Sequence, residues 1–275
     1  MTAALLALLS SALWGSADYA GGALSRIRPA IQVVALSQAI ALLVAWTAVL
    51  VAGAGVDATS LRWGALAGLA GGAALAAFYA ALAAGMMGVV APISALGLVV
   101  PVLAGLVAGE RPSAAQLIGI VVALAGVVLA SGPELSGGAS PRPLLLAAVA
   151  GLGFGLTLLF LAQSPDTLPT LAVMRTSSVS LLGVILVVVR RTRGLRPTPR
   201  ELPALAFVGG ADLAANGTYA VAATSGLLSV VAVLASLYPA VTVLLAWRLG
   251  GERLGRLQVG GVSTALVGVV LLAAG

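Results

Sequence analysis

Residues 109–129 read GERPSAAQLIGIVVALAGVVL, and residues 251–271 read GERLGRLQVGGVSTALVGVVL. Gly109-Glu110-Arg111, Gln116, Gly119 and Gly126-Val127-Val128-Leu129 all recur at an offset of 142 residues. Behind each charged triplet lies an apolar run. About 20 apolar residues span the hydrocarbon of a bilayer as one helix. The strands of a membrane barrel would instead alternate apolar and polar residues. Stretches such as Val121–Leu129 and Leu181–Val189 do not alternate. The quoted segment therefore reads as a membrane helix that occurs twice.

Working outward, the duplication extends over nearly the whole chain. Tyr79-Ala80 matches Tyr219-Ala220, Trp14-Gly15 matches Phe154-Gly155, Pro29 matches Pro169 and Ser37 matches Ser177, all at an offset of 140. Cutting at charge, Pro and Gly clusters gives ten apolar stretches: 3–23, 31–51, 63–83, 87–107, 114–131, 143–162, 170–189, 202–222, 227–247 and 256–274. The expected units are 1–131 and 142–275, joined by a Gly/Pro/Ser-rich linker at 132–141. Five spans in each unit make the second enter the membrane from the opposite side. The expected fold is thus an all-α polytopic membrane protein, with ten transmembrane helices in two inverted five-helix repeats. Secondary transporters often have this design, with the substrate site at the repeat interface near the midplane.

Composition agrees. Of 275 residues, 61% are hydrophobic and 8% charged. Soluble domains carry roughly 45–50% apolar and about 25% charged residues, so a soluble globule is excluded. Cysteine, histidine and lysine are absent. Thiolate chemistry, imidazole bases and the usual nitrogen or sulfur metal ligands go with them. So does the lysine of a phosphate-binding loop, and with it ATP hydrolysis by that motif. No cofactor or metal is expected, and an intramembrane enzyme is disfavoured. All fourteen cations are arginines, and the net charge is +6. In a membrane protein such a surplus marks cytoplasmic loops rather than nucleic-acid binding. The first stretch has no positive leader region and reads as a retained helix. Gly64, Gly68 and Gly72 read as a helix-packing stripe.

The paired blocks resemble the drug/metabolite transporter superfamily of the EamA-repeat type. The resemblance rests on Trp14-Gly15 in the first helix, Gly-Glu-Arg after the fourth and ninth, and Gln-x-x-Gly with Gly-Val-Val-Leu in the fifth and tenth. It implies transport of metabolites or drugs, often export, and leaves the substrate open among amino acids, sugars, nucleotide sugars, cations and drugs. The expected partners are a small-molecule substrate, membrane lipids and a coupling proton or ion, with the chain a monomer or homodimer in a cell membrane. A lipid-like substrate and a non-transporting membrane subunit are the alternatives.

Charges inside the spans nominate the site. Ionisable groups at mid-bilayer are costly and need a partner or a wet cavity. Asp212 lies about ten residues into its helix, roughly 15 Å deep. Arg175 lies about five residues, roughly 8 Å, into the preceding span, and Asp18 about as far from the end of the first. The equivalent positions in the other unit are neutral: Gly72, Ala35 and Leu158. Asp212 and Arg175 are the first candidates, as a pair for a zwitterion's two charges or as a structural ion pair. Asp18, Trp14, Asn216, Gln38, Ser178, Tyr79, Tyr219 and Tyr238 complete the expected substrate-binding set. Tyr238-Pro239, Pro92 and Pro101 are expected to break their helices. Glu110 and Glu252 read mainly as loop caps or partners of Arg111 and Arg253. Replacing Asp212 by Asn is expected to stop transport and leave the fold intact.

Topology stays open at this point. Eleven of the fourteen arginines flank the loops after helices 1, 5, 7 and 9. The positive-inside rule then places both termini outside, whereas the resemblance implies termini inside.

Overall fold

A computed structural model describes residues 2–85, 87–131, 141–189, 195–251 and 255–274. The expected linker, apart from Pro141, and Glu252-Arg253 lie outside the described residues. Among the described residues there is no strand.

The helices are α1 (Thr2–Ser25), α2 (Ala30–Ala52), α3 (Ala58–Ala84), α4 (Met87–Ala95), α5 (Val99–Val107), α6 (Ala114–Ser131), α7 (Pro141–Leu161), α8 (Thr167–Val188), α9 (Leu202–Ser225), α10 (Leu228–Ala235), α11 (Tyr238–Arg248) and α12 (Arg256–Ala274). A 3-10 turn, Leu96–Leu98, joins α4 to α5. Backbone angles stay helical through that turn, whereas at Ser236-Leu237 φ stays near −80° and ψ opens to 10° and 1° without reversing the chain. Each pair, α4–α5 and α10–α11, therefore forms one rod with a kink. These rods and the eight other helices follow the ten apolar stretches of the sequence within a few residues. Five segments are long and apolar enough to cross a membrane among those searched: Ala30–Ala52, Ala58–Ala84, Arg142–Leu161, Thr167–Val188 and Leu228–Arg248.

The ends of the helices have local causes. Asp57 accepts from Ser60 N at 2.8 Å while Ser60 Oγ accepts from Asp57 N, a reciprocal cap at the start of α3. Ser113 and Gln116 make the same exchange at the start of α6. The motif glutamine is thus a helix cap. The motif glycines are turn residues: Gly109 has φ +93° and Gly251 φ +70°, where a side chain is strained.

The first-half kink lies between the two prolines expected to cause it. Pro101 sits three residues into α5, and Pro239 is the second residue of α11. In a first helical turn the missing N–H costs little, so both prolines begin helices after the kinks.

Packing exchanges the halves. α3 lies on α7 and α8, and in turn α9 lies on α1 and α2; α6 pairs with α12, and α5 with α10. Small residues permit the close crossings. A Cβ on Gly68 would sit 2.1 Å from Met174 O, and one on Gly64 would sit 2.6 Å from Thr170 O. The Gly64–Gly68–Gly72 stripe is therefore seated on α8, as its spacing predicts. Leu43, Leu50, Leu103, Val121, Leu152 and Val187 face outward and are exposed. Such an apolar exterior suits lipid and not water.

Candidate functional site

Four helices converge on Asp212 in α9. Arg175 Nη1 of α8 lies 2.8 Å from Asp212 Oδ2. Gln38 of α2 donates from Nε2 to the same oxygen at 2.9 Å and accepts from Arg175 Nη1 through Oε1. Trp14 of α1 donates from Nε1 to Asp212 Oδ1 at 3.1 Å. Asn216, one turn along α9, donates to Oδ1 at 3.1 Å and to the Asp212 carbonyl at 2.7 Å. Gln38 and Trp14 come from the first half of the chain, the other three from the second. The Arg175 side chain is 2% exposed and that of Asp212 11%. A buried ion pair of this kind holds only when further hydrogen bonds satisfy the carboxylate. Here Trp14, Gln38 and Asn216 supply them.

These residues line a central cavity together with Asp18, Ser178 and Tyr238. It holds about 660 Å³ of space not filled by atoms, part of it open to the exterior. Asp18 lies one turn beyond Trp14 on α1, buried, and its carboxylate has no hydrogen-bond or ion-pair partner among the described residues. Arg175 Nε, Arg175 Nη2 and Ser178 Oγ are also buried without a partner among the described residues. Trp14 and Tyr238 meet edge to face, with ring centroids 6.4 Å apart, and Tyr238 shares a hydrogen bond with Ser94 at 2.8 Å.

Eight of the ten residues expected from the sequence therefore line one cavity. Tyr79 and Tyr219 do not. Tyr79 OH donates to Ala17 O at 3.4 Å, and Tyr219 OH donates to Leu158 O at 3.2 Å. Each phenol ties the third helix of its half to the first. Their repetition in the sequence reflects duplicated packing, since each hydroxyl is already used by a backbone carbonyl.

Other residues of the lining carried weaker signals. Ser94 and Ser236, at the two kinks, both face the cavity and share the offset of 142 with the Gly-Glu-Arg blocks. Phe154 occupies the place equivalent to Trp14 and also lines the cavity. The glycine that follows each aromatic lets the opposite kinked rod approach. A Cβ on Gly15 would lie 2.5 Å from Tyr238 O, and one on Gly155 would lie 2.1 Å from Gly97 O.

At the edge of the bundle, Glu201 receives Thr198 N at 2.7 Å and Arg28 at 3.2 Å. The backbone and hydroxyl of Thr198, and then Arg28, hold its carboxyl below the ordinary value. Among the described residues no group of side chains is arranged to hold a metal.

Comparison with known proteins gives the family. No curated protein matches the sequence. A solved crystal structure that is 20% identical covers 98% of this chain and 98% of its own, with a TM-score of 0.79. At that identity the likeness concerns the fold. The model of the EamA-like transporter family matches residues 141–274. The second half of this integral membrane protein thus belongs to the EamA-like transporter family, a family of membrane transporters for small molecules.

Proposed function

We propose that the chain is a secondary transporter that exports a small organic cation, an amine above all, by alternating access. In this reading all ten rods cross the membrane, as two inverted five-helix units at 1–131 and 142–275. The exchange of packing partners between the halves supports the inversion. The arginine-rich loops face the cytoplasm and both termini lie outside. Export is the direction that the family resemblance implies.

One observation carries the substrate class: the Asp18 carboxyl lines the cavity with no partner among the described residues. Asp212 is neutralised by Arg175, so Asp18 is the lining carboxyl left without a counter-charge among the described residues. A buried charge needs a counter-charge or a proton. An ammonium group supplies the first and a coupling proton the second. The rings of Trp14 and Tyr238 lie beside this position and suit the apolar part of an amine.

A second reading has its own support. The unpartnered Arg175 Nε, Arg175 Nη2 and Ser178 Oγ favour a carboxylate on the same substrate, which makes it an amino acid. Purified protein tested by thermal shift against amines, and against the amino acids that bear the same side chains, separates the two. A ligand that binds only the folded state raises the melting temperature by mass action. The amine reading expects shifts from the amines that vanish in Asp18→Asn. Shifts confined to the amino acids favour the second reading, and shifts from neither contradict both.

A further inference from the structure

We infer that Glu110 is the latch that closes the cavity on the face where α1 begins, an inference that rests on the alternating-access reading above. Glu110 follows Gly109, whose left-handed backbone turns the chain back over the end of α5, and Glu110 N bonds Gly105 O at 3.0 Å. The carboxylate then reaches α10 in the other half of the chain. Oε1 accepts from Leu228 N at 2.6 Å and Oε2 from Ser229 N at 3.0 Å. These are the first two N–H groups of α10, and Leu227 gives that helix no side-chain cap. A carboxylate suits the place because the N-terminal end of a helix carries partial positive charge. The fit is tight: a Cβ on Gly105 would lie 2.5 Å from Glu110 Oε2. The partner expected from the sequence, Arg111, takes no part in either bond.

The position gives the contact its role. The cavity wall includes Leu98 and Ser236 but no residue of α5 or α10. Those two segments pack together and fill the space between the cavity and this face. For the cavity to open here, α5 and α10 must part, and both Glu110 bonds must break. At the opposite face the halves are joined by Arg28 and Glu201, whose side chains are 12% and 18% exposed.

The test uses the absence of native cysteine. Ser236→Cys places one thiol in the cavity wall, and a membrane-impermeant maleimide is applied to oriented vesicles from each side. With Glu110→Ala, labelling from the Glu110 face should rise about tenfold, the equivalent of roughly 1.4 kcal/mol, while labelling from the other face does not rise. Glu110→Gln, which keeps one acceptor oxygen, should fall between. Unchanged labelling in both variants overturns the latch. So does an equal rise from both faces with a lower melting temperature, which marks Glu110 as a structural cap only. Labelling needs no substrate, so failure of the amine reading leaves this result readable. Failure of the latch likewise leaves amine transport by the native chain untouched.

Discussion

Trp14 Nε1 donates to Asp212 Oδ1 across 3.1 Å. This bond ties the first helix of one half to the third helix of the other. Gln38 makes a second such tie, and it touches both members of the Arg175–Asp212 pair. The ion pair is thus built into the junction of the halves, while Asp18 in the same cavity has no partner among the described residues.

The two acids should respond differently to neutralisation. Removing one partner of a buried ion pair typically costs about 3–5 kcal/mol, because the other charge is stranded. The expectation that Asp212→Asn leaves the fold intact gives way on this ground: Arg175 is 2% exposed and has no other counter-ion among the described residues. Asp212→Asn should lower the melting temperature markedly, and the double variant Arg175→Met, Asp212→Leu should recover much of the loss. Asp18→Asn removes a carboxyl that has no partner among the described residues and should hold or raise the melting temperature. Thermal unfolding in detergent checks all three.

Glycine substitutions should sort by contact. Gly68→Ala places a methyl group against Met174 O and Ser177 Oγ, and overpacking costs about 1–3 kcal/mol. Gly183, also in the interior of a helix, has nothing within 4 Å of an added Cβ. Gly183→Ala should be neutral or stabilising by up to about 1 kcal/mol. Paired denaturation curves distinguish the two sites.

Much of this fold is legible in the sequence because helix length, glycine spacing and duplication are local or periodic signals. The Gly64–Gly68–Gly72 stripe and the stretch 109–129 could be read directly. The depths of Asp212 and Arg175 in their spans place the two charges within reach of each other, and the structure pairs them at 2.8 Å. The contacts of Tyr79 and Tyr219 are hidden, and so is the partner of Glu110, which reads as a cap without showing which helix it caps. Duplication shows that a residue matters to both halves, but it does not tell a cavity wall from a packing contact. The partner of Glu110 lies 118 residues away, and no sequence spacing points to a backbone N–H.

The tyrosines give a test of that distinction. Tyr79→Phe and Tyr219→Phe each remove one hydrogen bond to a carbonyl, worth about 1 kcal/mol. They should lower stability slightly and leave the amine dissociation constant unchanged. Tyr238→Phe, in the cavity wall, should change it. Binding isotherms on the three variants decide the matter.

Asp57 gives a pH prediction outside the spans. Hydrogen bonds from the Ser60 side chain and backbone hold its carboxyl below the ordinary value. The ionised cap therefore contributes stability above the unfolded pKa of about 4, and this is lost as pH falls through the lower folded value. Asp57→Ala should melt below the native chain at pH 7, and the gap should close in acid. Melting curves over that range supply the check.

The most direct measurement is counterflow in liposomes that contain only this chain, using the amine found by thermal shift, with native protein and Asp18→Asn compared. The account predicts saturable amine exchange by the native chain and loss of at least nine-tenths of it in Asp18→Asn at a melting temperature no lower than the native one. Equal exchange by the two proteins would contradict it.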